Sequence, residues 1–141
     1  MIAVDTNVLV YAHREESPRH ERALEAVAGF AEGDEPWGLP VFVVSEFLRV
    51  VTHPRVYSPP TSRPAALATV DALLASPTVR MLTPGDRFWP LFKAAVEEGQ
   101  ATGNRIFDAQ LVAICREHGV ATILSEDRDF RRFPSISLQT L

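Results

Sequence analysis

At 141 residues the chain is long enough for one domain and short for two, and a domain of that size buries about two thirds of the surface its unfolded chain exposes. Apolar residues make up 46% and charged residues 23%, ordinary values for a globular protein, and no apolar run approaches the ~18 residues of a membrane span. The net charge of −4 argues against a general nucleic-acid binder, which is usually basic, without excluding a nuclease whose acids are gathered in one pocket.

Ile2-Ala3-Val4 reads as a short buried strand, cut off by Asp5, Thr6 and Asn7. That interruption is unlike the apolar core of a signal peptide, so the chain is expected to stay in the cytoplasm. A helix is expected over Asn7–Arg14. Ser17-Pro18 is an N-cap followed by a first-turn proline. Beyond it, Ala23, Leu24, Val27, Ala28 and Ala31 fall at helical spacing, and Gly33 stops the helix. Trp37-Gly38-Leu39 is a brief extended piece. Pro40 opens a helix through Val51, ended by His53-Pro54. The proline-rich stretch Val56–Arg63 is a surface loop, and a helix over Pro64–Ala75 follows it. Val79–Leu82 is a strand candidate, Pro84–Glu98 a helix closed by Gly99, and Asn104–His118 an amphipathic helix closed by Gly119. Val120–Leu124 is apolar and strand-like, Arg128–Phe133 a short helical turn, and Ile136–Leu138 a last strand.

Short strands alternating with helices build a parallel sheet covered on both faces. The expected fold is a single-domain three-layer α/β/α sandwich over residues 1–141. Functional residues of such sheets gather beyond the C-terminal ends of the strands, where Asp5 and Asp127 lie. Two more acids interrupt apolar runs. Glu46 is the only charge between Val41 and Leu48, and Asp108 shares an i, i+3, i+4, i+7 stripe with Leu111, Val112 and Cys115. Glu46 shares a face with Phe42, Val43, Arg49 and Val50. Both acids are expected to point inward, where an unpaired charge is costly. Nearby arginines or a divalent metal are the two ways to compensate, and carboxylate oxygens suit Mg²⁺ or Mn²⁺.

Each acid also has a plainer use. Asp5 fits a helix N-cap, Glu46 a pair with Arg49 one turn on, Asp108 a helix-dipole partner, and Asp127 or Asp129 a cap on the turn at Arg128. Cys115 is single, so no internal disulfide forms, and its apolar setting makes it a core residue. His13, His20, His53 and His118 are scattered, with His118 at a helix C-terminus. Thirteen of the fourteen basic residues are arginine. Arg105 beside Asp108, and Arg128, Arg131 and Arg132 after Asp127, are candidates to hold an RNA backbone or to form a solvated face.

The motifs Asp5-Thr6-Asn7, Glu46 after Pro40, Gly103–Ala109 around Asp108, and Ser125-Glu126-Asp127-Arg128-Asp129-Phe130 occur in one order along nearly the whole chain. In this the sequence resembles PIN-domain ribonucleases, in particular VapC-type toxins of bacterial toxin–antitoxin pairs. The resemblance implies a Rossmann-like fold and an acidic quartet of Asp5, Glu46, Asp108 and Asp127 that binds Mg²⁺ or Mn²⁺. It gives Asp129 a supporting part in the metal site, and makes Thr6, Asn7 and Ser125 polar supports. It further implies endoribonuclease activity on structured RNA such as tRNA, a homodimer, and a cognate VapB-type antitoxin. Two competing readings are a non-catalytic acidic-pocket binding module and a phosphatase or phospho-acceptor domain. The second of these wants an acid at Asn7 or a lysine late in the sheet, and the only lysine, Lys93, lies within a helix.

Overall fold

The structure is a computed structural model describing residues 1–141. Five parallel strands form one sheet in the order β3-β2-β1-β4-β5. They are β1 (Ile2–Val4), β2 (Trp37–Pro40), β3 (Val79–Leu82), β4 (Thr122–Leu124) and β5 (Ser137–Gln139). Helices α1 (Thr6–His13) and α2 (His20–Glu32) link β1 to β2, α3 (Val41–Val51) and α4 (Arg63–Leu74) link β2 to β3, and α5 (Phe88–Glu98) and α6 (Arg105–Glu117) link β3 to β4. Strand order runs outward from β1 to β3, then jumps back across β1 to β4. Right-handed crossovers therefore set α1–α4 on one face and α5 and α6 on the other. Consistent with this, α1 packs on α2 and α3, while α5 packs on α6. The three-layer sandwich expected from the sequence is the fold found.

The core is one cluster of 29 buried residues, among them Trp37, Phe47, Phe130, Phe133 and Leu39. β1 is pinned between both neighbours, with Ile2 opposite Trp37 on one side and Thr122 on the other. Cys115 is buried and free, and burial pushes its thiol up to about 12, so it is an inert packing residue. His118 is the C-cap of α6, and its Nε2 lies 2.8 Å from the Thr83 carbonyl, which ties the helix end to the segment after β3. Gly119 follows with a φ of 69°, the left-handed conformation that closes a helix cheaply only with glycine. The proline-rich loop after α3 is held to the end of α1: the Arg14 guanidinium stacks 4.2 Å from the Tyr57 ring centroid and donates to the Pro59 carbonyl at 3.1 Å. No helix is long and apolar enough to cross a membrane.

The largest departure from the sequence expectation is the start of α5, at Phe88 instead of Pro84. A helix from Pro84 would put Pro90 in its second turn, where the ring removes a hydrogen bond and clashes with the preceding turn; starting at Phe88 puts Pro90 in the first turn, where no N–H is needed. Residues 84–87 instead cross to α6. The Glu117 carboxylate accepts from the Gly85 N–H at 2.9 Å and the Arg87 N–H at 3.0 Å. Glu117 thus acts as a cap supplied from a neighbouring helix. Glu117→Ala should lower stability by about 1 kcal/mol, the usual cost of a lost cap, measurable by urea unfolding with an unchanged m-value.

Candidate metal centre

The reversal in strand order falls between β1 and β4. In open parallel sheets the crevice beyond that point is where ligands sit. Here it is filled by the two polar segments that end these strands. Asp5 leaves β1 with its N–H bonded to the Leu124 carbonyl at 3.0 Å. Its side chain then caps α1, accepting from the Thr6 N–H at 2.7 Å. This is the plain N-cap use of an aspartate, and it explains why α1 begins at Thr6, one residue before the expected Asn7.

The second carboxylate oxygen of Asp5 has other partners. Ser125 Oγ donates to it at 2.6 Å and Asn7 Nδ2 at 2.8 Å. Ser125 is fully buried and its oxygen also accepts from Asn7 Nδ2 at 3.0 Å and the Asp127 N–H at 3.0 Å. Asn7 Oδ1 accepts from the Glu126 N–H at 3.2 Å. One hydroxyl and one amide therefore lock the end of β1 to the end of β4. Thr6 extends the network to α3, its hydroxyl donating to Glu46 Oε2 at 2.8 Å.

A cleft of about 880 Å³ opens over this network. Asp5, Glu46, Asp108, Asp127 and Asp129 all line it, with Thr6 and Asn7. Within the cleft, carboxylate oxygens of Asp108, Asp127 and Asp129 lie within 4.8 Å of one another. Asp129 belongs to this tightest group, and Asp5 and Glu46 line the cleft outside it. Asp127 also caps the 3₁₀ turn Arg128–Arg132, accepting from the Asp129 N–H at 2.8 Å. That bond turns the backbone so that both acids face one cleft.

Glu46 departs from expectation in one respect. Its helical face with Phe42, Val43, Arg49 and Val50 borders the cleft as well as the core, where Val43 is buried, and Glu46 itself keeps a side chain 46% exposed. The Arg49 pair does form, at 3.5 Å, but between two exposed groups it contributes little. Arg105 reaches the cleft, 3.7 Å from Asp129, and Arg132 lies equally far from Asp129. Arg128 is exposed and is not part of the cleft wall. None of the four histidines lines it. Sequence reasoning overlooked Asn104, Phe107 and Gln110, which line the wall from the first turns of α6. Their i, i+3, i+6 spacing puts them on one side of the helix start, but spacing alone does not show that this side is left open.

The electrostatics are those of acids short of countercharge. Burial, opposed by the Ser125 and Thr6 hydrogen bonds and aided by the charges of Glu46 and Asp127, raises Asp5 from 3.8 to about 6. Burial, then the charges of Asp127, Asp5, Asp129 and Glu46, raises Asp108 to about 7. A cluster of hard oxygen donors that resists its own ionisation fits a divalent cation of the Mg²⁺ or Mn²⁺ type, which supplies the missing positive charge. The nearby arginines offset the negative charge only in part: Arg49 pairs with Glu46, and Arg105 and Arg132 pair with Asp129.

Comparison with known proteins gives the chain a family and confirms its fold. Residues 2–136 match the PIN domain family. The chain is 47% identical over 133 residues to a VapC ribonuclease of Mycobacterium bovis, covering 94% of this chain and 90% of that one. It is 37% identical over 135 residues to ribonuclease VapC48 of Mycobacterium tuberculosis, covering 96% and 93%. Among solved structures, VapBC2 from Rickettsia felis bound to a promoter DNA fragment superposes with a TM-score of 0.67 at 17% identity, over 99% of this chain and 98% of that one. VapC20 of Mycobacterium tuberculosis, a sarcin–ricin loop cleaving toxin, gives 0.66 at 20% identity over 93% of each. With a family match over nearly its whole length and relatives this similar, the chain belongs to the PIN domain family.

Proposed function

We propose that this protein is a divalent-metal-dependent endoribonuclease, the toxin of a VapBC-type toxin–antitoxin pair. The observation that carries the reading is the convergence of five carboxylates, from Asp5, Glu46, Asp108, Asp127 and Asp129, on one cleft at the sheet's switch point. Relatives at 37–47% identity named as VapC ribonucleases support it. Asp108, Asp127 and Asp129 would hold the ion, with Asp5 and Glu46 completing its acidic surround. Bound there, Mg²⁺ or Mn²⁺ would polarise the scissile phosphate, ease deprotonation of an attacking water and steady the leaving oxygen.

The chain's own part is positioning. Ser125 and Asn7 fix the Asp5 carboxylate and the backbone of Asp127 in one rigid unit. Thr6 steers Glu46 toward the cleft. Arg105 stands where it can hold a backbone phosphate next to Asp129. The protein works in the cytoplasm as a homodimer, and a VapB-type antitoxin silences it by covering the acidic cleft. VapBC complexes among the structural neighbours support such a partner.

The purified protein should cleave RNA in Mg²⁺ or Mn²⁺ and stop in EDTA. Its expression alone should arrest growth, and co-expression of its antitoxin should restore it. Cleavage that persists in EDTA would remove the metal from the reading. Metal binding without any RNA cleavage would favour the acidic-pocket binding module.

A further inference from the structure

We propose that Phe107 is a stacking platform for an unpaired RNA base, making the cleft selective for single-stranded nucleotides beside the cleaved phosphate. The residue stands immediately before Asp108, yet the two face different ways. Asp108 is half-buried, whereas Phe107 is 64% exposed, the most exposed of the large hydrophobic side chains. An aromatic ring left in water contributes nothing to the fold, since its burial is what stabilises. It nevertheless lines the same cleft as the carboxylates.

Its neighbours are those of a base-binding wall. Asn104, the N-cap of α6, and Gln110, one turn after Phe107 on that helix, line the cleft beside it. Their amides carry both donors and acceptors, the groups that read base edges. Phe42 on α3 adds a second aromatic to the same cleft. The chemistry calls for such a wall. The chain carries a net charge of −4 and the cleft a cluster of carboxylates, so attraction for phosphates is weak on this surface. Stacking supplies affinity that does not depend on charge, and it is open to every base with a free face. Paired bases have no free face, so a duplex gains nothing from Phe107.

This proposal rests on the ribonuclease reading, and binding measured without turnover separates the two. The experiment is fluorescence anisotropy of a labelled short single-stranded RNA, and of the duplex of the same sequence, with Ca²⁺ in place of Mg²⁺. The wild-type protein should prefer the single strand. Phe107→Ala should weaken single-strand binding about tenfold or more, the usual loss for a stacking residue, and leave duplex binding unchanged. Phe107→Trp should restore the preference. Equal binding by wild type and Phe107→Ala, or an equal loss for both RNAs, would overturn the proposal. So would a Phe107→Ala protein whose main change is loss of self-association in sedimentation, since the ring would then serve a protein interface. Absence of cleavage by the wild-type protein in Mn²⁺ would instead strike the ribonuclease reading and leave the binding comparison standing.

Discussion

Changing Asp108 to asparagine should silence RNA cleavage and, in the same protein, raise the melting temperature measured without metal. The loss should be at least ~100-fold, because the proposed metal site would lose one of its three closest carboxylates. The gain follows from the cost that the cleft imposes on the ionised acid. A rise from 3.8 to about 7 corresponds to roughly 4 kcal/mol of penalty on the charged form. Asp108 is half open to solvent, so screening leaves about 1–2 kcal/mol of this, or a few degrees of melting temperature in a domain of this size. Asparagine keeps the shape without the charge. Asp5→Ala should behave differently. It should abolish cleavage too, yet melt lower, because the Ser125 hydroxyl, the Asn7 amide and the Thr6 N–H all lose their acceptor. Thermal unfolding beside an RNA cleavage assay distinguishes the two outcomes. An Asp108→Asn protein that still cuts RNA would remove Asp108 from the metal site.

The second large effect joins pH to metal. Asp5 and Asp108 are raised to about 6 and about 7, so in the folded chain they hold protons that the unfolded chain has released. Stability conferred by these two groups is therefore greatest near their unfolded values and falls as pH rises through about 4 to 7. This is the reverse of a salt-bridged carboxylate. Without metal the protein should melt several degrees higher near pH 5 than near pH 8. Divalent metal competes with those protons. Millimolar Mg²⁺ or Mn²⁺ should therefore stabilise strongly near pH 8 and weakly near pH 5, by ~2.7 kcal/mol where the ion stands at ~100 times its Kd. Melting curves at the two pH values, with and without metal, give the answer. Metal-insensitive melting near pH 8 would contradict the assignment of these acids to a cation.

Why some of this could be read from the sequence and some not comes down to range. Periodicity and turn residues act locally, and they located every strand and helix to within a few residues. The exception at α5 arose because the partner of residues 85 and 87 is Glu117, thirty residues on. Asp108 was legible because its apolar stripe is written into one helix. Glu46 was half legible: the face was right, but whether that face meets core or cleft depends on how α3 is placed. Asp129 was legible as part of the metal site from the closing motif, but its closeness to Asp108 and Asp127 was not. It depends on the 3₁₀ turn that Asp127 itself caps. Phe107 was missed for a similar reason, since an aromatic inside an amphipathic helix is assumed buried until the neighbouring helix is seen to leave it bare.

The Ser125 node also has a consequence for how the protein comes into being. Its partners Asp5 and Asn7 are made first, and it is made 118–120 residues later. The central strand β1 waits for β4, its neighbour on one side, for the same length of synthesis. No polypeptide that ends before Asp129 carries the acidic trio, and none that ends before Ser125 can lock Asp5 in place. A chain still being translated therefore lacks the assembled acidic cleft, which forms only when β4 and the turn after it have left the ribosome.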